Sequence, residues 1–209
     1  MWPDSSFNCV TLANETDSNR VTQGKETDLN LVTQSKETDL WLTWAQYDDL
    51  IEQLAVQVQQ SGFRFDQILC LARGGMRIGD VLSRLFKVPL AVLATSSYRD
   101  GAGTEQGALN IAQQITSTAG PLCGNILLVD DLVDSGITFS SVCDHLLRSF
   151  PLIAELKTAV LWQKAASVVK PDYVVTTLET NPWIHQPFEH YDTLTLAALV
   201  EKWSITPNK

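Results

Sequence analysis

The sequence predicts an α/β fold, a parallel sheet with helices on both faces. Two observations carry that prediction. Short, nearly continuous apolar runs at residues 68–72, 90–94 and 156–162 lack the alternation of a half-solvated strand, so both of their faces need cover. Between them lie segments whose apolar residues recur at helical spacing, the pattern of strand–helix–strand units.

Order begins near Leu40. Thr43-Trp44-Ala45-Gln46 fits a capping box, and Tyr47, Ile51, Leu54, Ala55 and Val58 then share one helical face. Ser61-Gly62 stops that helix. Residues 68–72 read as a buried strand, broken by Arg73-Gly74-Gly75. Residues 78–86 are helical through Ile78, Val81, Leu82 and Leu85, and residues 90–94 are a second strand. Residues 96–107 are polar and hold Gly101, Gly103 and Gly107, which predicts a mobile loop. A strand over 125–129 ends in Asp130-Asp131, a helix covers 138–150, and strands cover 156–162 and 173–177.

The first 39 residues differ. Glu15-Thr16-Asp17 returns as Glu26-Thr27-Asp28 and Glu37-Thr38-Asp39, and Val21-Thr22-Gln23 returns as Val32-Thr33-Gln34. Each repeat offers one short apolar cluster and then polar residues, too little for a continuous helical seam. Residues 1–39 therefore read as a disordered repeat tail, a duplicated lead-in to a domain over 40–209. The net charge of −9 repels nucleic acid. Of the four cysteines, Cys70 and Cys143 sit in apolar runs, as packed thiols of a reducing compartment do, and Cys9 and Cys123 form no metal-ligand spacing. The N-terminus lacks a basic, apolar leader, and no run is long enough to span a membrane, so the cytoplasm is the default expectation.

The most informative stretch is residues 126–138, Ile-Leu-Leu-Val-Asp130-Asp131-Leu-Val-Asp134-Ser135-Gly136-Ile137-Thr138. A buried strand ends in two acids, and a short loop of small residues opens a helix. Ligands of open α/β sheets bind outside the carboxyl ends of the strands. Free backbone N–H groups at a helix start cradle phosphate, and Ser135 and Thr138 add hydroxyls. Carboxylates beside such a cradle suit ribose hydroxyls or a hard cation such as magnesium. For any single residue, a capped helix explains as much: Asp134 or Ser135 as N-cap, Asp130-Asp131 as a solvated strand end. A cap does not explain three acids in this order. A P-loop alternative needs GxxxxGK[ST], and Gly24-Lys25 is followed by Glu26.

Residues 129–138 closely resemble the signature of type I phosphoribosyltransferases. The resemblance spans about residues 40–192 and resembles the bacterial xanthine-guanine branch through Leu42-Thr43-Trp44, Ala72-Arg73-Gly74-Gly75, Ser96-Ser97-Tyr98, Lys164 and Pro182-Trp183-Ile184-His185-Gln186-Pro187. It implies a Rossmann-like parallel sheet with a mobile loop and a small hood. It implies that Asp134, Ser135, Gly136, Ile137 and Thr138 bind the 5′-phosphate of phosphoribosyl pyrophosphate, with Asp130 and Asp131 on the ribose hydroxyls and Mg2+. Arg73-Gly74 then forms the pyrophosphate loop, which in the family can carry a non-proline cis peptide. Trp183 stacks on a purine, Ile184 offers it backbone contacts, and Lys164 donates to its 6-oxo group. Asp134 is the candidate general base. Glu189 stands where the family often has aspartate near a second magnesium, and His185 where it often has an acid.

Without the family, Lys164 reads as a solvated strand-end lysine and Trp183 as a core or interface tryptophan. His185 and His190 lack the neighbours of a metal pair, and His145 reads as structural. The implied activity is transfer of phosphoribosyl to a 6-oxopurine, by a homo-oligomer with no nucleic-acid partner. A different base, or a non-catalytic sensor of phosphoribosyl pyrophosphate, are the other readings.

Overall fold

The structure is a computed structural model and describes residues 39–99 and 106–204. Residues 1–38 of the repeat tail and 100–105 of the expected loop lie outside the described residues.

The elements in chain order are β1 (Leu40–Trp41), α1 (Trp44–Ser61), β2 (Gln67–Ala72), α2 (Met76–Phe86), β3 (Leu90–Arg99), β4 (Gln106–Ile111), β5 (Thr116–Ser117), β6 (Gly124–Val133), α3 (Ile137–Ser149), β7 (Ile153–Gln163), β8 (Tyr173–Thr177), β9 (Ile184–His185), α4 (His190–Thr193) and α5 (Leu196–Trp203). The main sheet runs β4-β3-β2-β6-β7-β8. The pairs β2–β3, β2–β6, β6–β7 and β7–β8 are parallel, and β4 and β5 pair antiparallel with β3. The chain leaves β2 through α2 to β3 on one side, then returns as β6 on the other side. That reversal leaves a crevice at the carboxyl ends of β2 and β6, where open α/β sheets bind ligands.

The same alternation builds two cores. In β6, Leu127 and Val129 join Tyr47, Ile51 and Leu54 of α1 and Ile78 and Leu82 of α2. Ile126 and Leu128 face the other way, onto Phe139, Val142, Cys143 and Leu146 of α3. Each such residue, fully buried, contributes about 1.5–3 kcal/mol, which is why strands of continuous apolar sequence settle in the centre. Cys70 and Cys143 are both buried, as expected, and burial pushes the Cys70 thiol up to about 11. The capping box is formed: Gln46 N donates to Thr43 Oγ1 and Thr43 N to Gln46 Oε1. Gly62 closes α1 at φ 75°.

Several expectations need correction. The strand begun at Leu90 continues to Arg99, and Thr95, Ser96 and Ser97 pair with Ile111, Asn110 and Leu109 of β4. Ser96-Ser97-Tyr98 therefore lies in an antiparallel ribbon, not a loop. Ladder hydrogen bonds satisfy the backbone whatever the side chains, so a polar ribbon off the core has no apolar signal to betray it. β6 runs past Asp130 and Asp131 to Val133, and β7 begins at Ile153 rather than at 156. Leu85, counted on the apolar face of α2, is exposed.

Candidate active site

Three neighbouring parallel strands each deliver one part of the site at their carboxyl ends. β2 gives way to Arg73-Gly74-Gly75, β6 to Asp134–Thr138 (residues 134–138), and β7 to Lys164. Their adjacency in the order β2-β6-β7 brings together residues far apart in sequence.

The loop after β6 opens α3 through Gly136. Its Gly136 has φ 82° and is the N-cap of α3, with no side-chain hydrogen bond capping the helix. The capped-helix alternative survives in one long contact: Ser135 Oγ accepts from Ile137 N at 3.4 Å, and Asp134 instead pairs with Lys164. A side chain is also excluded at Gly136, since a Cβ there falls 2.8 Å from Val169 Cγ2. Ser135 O accepts from Val168 N at 3.1 Å, tying the loop to the segment after Lys164. A cavity of ≈ 190 Å³ opens here, lined among others by Asp130, Asp131, Asp134, Ser135, Gly136 and Thr138. Ile137, the first residue of α3, is exposed and offers only its backbone.

The loop after β2 lies against the acids. The Ala72–Arg73 peptide is cis. A Cβ on Gly74 would come 2.6 Å from Asp131 Cγ, and one on Gly75 3.0 Å from Asp130 Cα. Two glycines are thus needed for this approach, more than the ordinary strand-to-helix turn asks. Arg73 is exposed, with Nη2 3.8 Å from Asp192 Oδ1. Asp131 N donates to Asp130 Oδ1 at 3.0 Å, and Leu132 N to Asp131 Oδ1 at 2.8 Å. Burial, and after it the charge of Asp131, holds the Asp130 carboxyl well above the usual carboxylate range. Two adjacent carboxylates crowded in this way fit a hard cation or sugar hydroxyls, either of which relieves their repulsion.

Lys164 is not a solvated lysine. It is 7% exposed, and its Nζ lies 3.3 Å from Asp134 Oδ2. The ammonium has three donors, so this pairing leaves others for a bound base. Ile184 is buried in the core beside α1, while Trp183 is 56% exposed and donates from Nε1 to Glu189 Oε2 at 3.4 Å. An indole left that open is not a core filler, and its face is free for a planar ligand or for a partner surface.

Glu189 is the expected site residue that the structure does not gather in. Its carboxylate serves Trp183 and lies 3.9 Å from His185 Nδ1, and among the described residues no three His, Cys, Asp or Glu side chains group as a metal cage. A magnesium ion, if bound here, would be held by Asp130 and Asp131.

Sequence reasoning missed three participants. Asp39, assigned to the tail, sits with Oδ2 3.0 Å from His185 Nε2, and the indole of Trp41 stacks on that imidazole at 3.6 Å and 12°. These contacts hold β1 against β9 as the small hood. Gln186 donates from Nε2 to Asp131 Oδ2. Tyr47, beneath the acids, has a buried hydroxyl without a partner, and burial followed by the Asp131 charge pushes its phenol above the usual range, against ionisation. Only Gln186 had a signal, as part of the string 182–187.

The family described as phosphoribosyl transferase domain matches residues 43–193. The chain belongs to the phosphoribosyltransferase family. Among curated relatives of this family, a xanthine-guanine phosphoribosyltransferase from Gluconobacter oxydans (strain 621H) is 26% identical over 149 residues, 71% of this chain and 83% of the relative. A purine phosphoribosyltransferase from Pyrococcus horikoshii Ot3 superposes with a TM-score of 0.59 at 31% identity, covering 72% of this chain and 93% of that one. The Helicobacter pylori xanthine-guanine-hypoxanthine phosphoribosyltransferase shares the fold, with a TM-score of 0.61 at 23% identity over 75% and 100% of the two chains. The protein is a phosphoribosyltransferase with the type I fold.

Proposed function

We propose that this phosphoribosyltransferase transfers the 5-phosphoribosyl group of phosphoribosyl pyrophosphate to a 6-oxopurine and releases pyrophosphate. The observation that carries this reading is Lys164: a buried ammonium, held by Asp134, at the strand end next to the phosphate cradle. A donor-only group in that place matches the oxo acceptor of guanine, xanthine or hypoxanthine and opposes the amino group of adenine.

In the reaction, a purine ring nitrogen displaces pyrophosphate from the anomeric carbon. The first turn of α3, with Ser135 and Thr138, holds the 5′-phosphate. Asp130 and Asp131 hold the ribose hydroxyls and stabilise positive charge developing on the sugar. The same two carboxylates would hold magnesium, which neutralises charge on the departing pyrophosphate. Arg73 and the Gly74 backbone flank that leaving group. Asp134, exposed and one hydrogen bond from Lys164, accepts the proton that the purine loses. Trp183 stacks on the base, and the buried position of Ile184 fixes where its backbone meets the ring edge.

The test is a panel of guanine, xanthine, hypoxanthine, adenine and orotate, incubated with phosphoribosyl pyrophosphate and magnesium and assayed for nucleotide. Turnover of at least one oxopurine and little of adenine is expected. Efficient use of adenine or orotate without oxopurine activity removes the base assignment and leaves the phosphoribosyl site standing.

A further inference from the structure

Gln186 follows β9 in the segment that carries Trp183 and Ile184, yet its side chain reaches across to the acids of β6. It is 5% exposed, and its Nε2 donates to Asp131 Oδ2. The other oxygen of Asp131, Oδ1, accepts from Leu132 N. Both carboxylate oxygens are therefore held, one by its own strand and one by the base segment. An ionised carboxylate only accepts, so the amide must turn its NH2 toward Asp131 and its oxygen away. That oxygen, Oε1, is buried without a partner. Gln67 Oε1 at the start of β2 is buried and unpaired as well, so what sets Gln186 apart is its bond to Asp131.

We propose that Gln186 is a positioning residue linking the base segment to the sugar–magnesium site: its Nε2 holds Asp131 in the orientation that receives the phosphoribosyl pyrophosphate–magnesium complex. This rests on the assignment of Asp130 and Asp131 to that complex. It gives the two half-sites one shared hydrogen bond, so that order in either favours order in the other, and the effect is reciprocal. No role in proton transfer is assigned to Gln186, which acts through Asp131.

The experiment is calorimetric titration of phosphoribosyl pyrophosphate into wild type, Gln186→Met and Gln186→Asn, each with magnesium and with a chelator. Methionine keeps the length and removes both polar atoms; asparagine keeps the amide and retracts it by one methylene. Groups that orient a metal ligand typically change affinity by about 10–100-fold. Affinity in magnesium should fall about tenfold in both variants, affinity in chelator should stay within about twofold, and the methionine variant should melt no lower than wild type because an orphaned acceptor is gone. Magnesium-dependent affinity equal to wild type in both variants overturns the proposal. So does an equal loss with and without magnesium accompanied by a lower melting temperature, which would make Gln186 a part of the fold alone. Absence of any magnesium effect in wild type overturns the assignment of the acids, and with it this inference; a magnesium effect in wild type that the variants retain overturns the inference only.

Discussion

The two halves of the site are built differently. The phosphoribosyl half grows directly from the ends of β2 and β6, strands whose flanking residues are fully buried in two cores, and its loop and helix are fixed within a few residues of chain. The base half is assembled from distant parts: Leu40–Trp41 pairs with Ile184–His185, Asp39 bonds His185, and Trp183 stays open to solvent. A sugar phosphate needs fixed charge and fixed backbone donors. A flat base needs a ring face and a few edge contacts, which a light hood can supply. The difference predicts that damage on the sheet side abolishes substrate binding, and that damage on the hood side tunes it.

The largest effect is expected from Asp130→Asn combined with Asp131→Asn. The pair keeps its size and loses the charge that suits a cation. Two lost hydrogen bonds to charged partners, at about 1.5 kcal/mol or more each, amount to about a hundredfold. Binding of phosphoribosyl pyrophosphate in magnesium should fall by at least about that factor, with the circular dichroism of the fold retained. Unchanged affinity by titration calorimetry would remove the sugar site from these residues.

Lys164→Met comes next and probes the seam between the halves. Loss of one charge-assisted hydrogen bond predicts a fall of about 10–100-fold in kcat/KM for the preferred oxopurine. Adenine, which meets an opposing donor in wild type, should lose less, so the gap between the two narrows. Equal losses for both bases would show that Lys164 only supports Asp134.

This contrast also explains what could be read in advance. The order of the central strands and of α1 to α3, the capping box at Thr43, the loop that opens α3 and the buried thiols were legible because each depends on local spacing or a contiguous apolar run. The extension of β6 through Asp130-Asp131 was not, since acids at a strand end carry no apolar period. The ribbon of β3 with β4 was hidden for the same reason. Asp39 and Tyr47 were invisible as site residues, and Gln186 showed only as part of the string 182–187, because such roles come from contacts across 146 residues for Asp39 with His185 and 55 for Gln186 with Asp131. No local pattern encodes such distances.

A smaller effect separates the crowded acids from the rest of the fold. The folded Asp130 carboxyl is held above the ordinary range by burial and by Asp131. Its protonated form is thus favoured by folding, and that contribution is complete below the unfolded carboxylate pKa and is lost as pH rises through the raised value. In chelator and without substrate, Asp130→Asn should therefore gain melting temperature relative to wild type as pH is raised from about 4 to about 8. Thermal unfolding of both proteins across that range checks the sign. A difference that stays flat with pH would show that Asp130 ionises as freely in the folded chain as in the unfolded one.

The smallest effects belong to the N-terminal segment, where two truncations sharpen the boundary between tail and hood. The repeats at 1–38 have little apolar surface to contribute to a core. Deleting them should leave melting temperature, KM for both substrates and kcat nearly unchanged. Deleting residues 1–42 instead takes away β1, and with it the hydrogen bonds from Leu40 N to Trp183 O at 2.8 Å and from Leu42 N to His185 O at 3.1 Å, along with the Asp39 and Trp41 contacts to His185. Net backbone hydrogen bonds contribute about 0.5–1.5 kcal/mol each, so two of them correspond to a rise of about 5–100-fold in KM for the base. Affinity for phosphoribosyl pyrophosphate should move much less, because β1 pairs with β9 of the hood. Steady-state kinetics with each substrate varied in turn separates the outcomes. A loss on removing 1–38 alone would assign the repeats to the working enzyme, and equal losses for both substrates on removing 1–42 would show that the hood supports the whole crevice rather than the base.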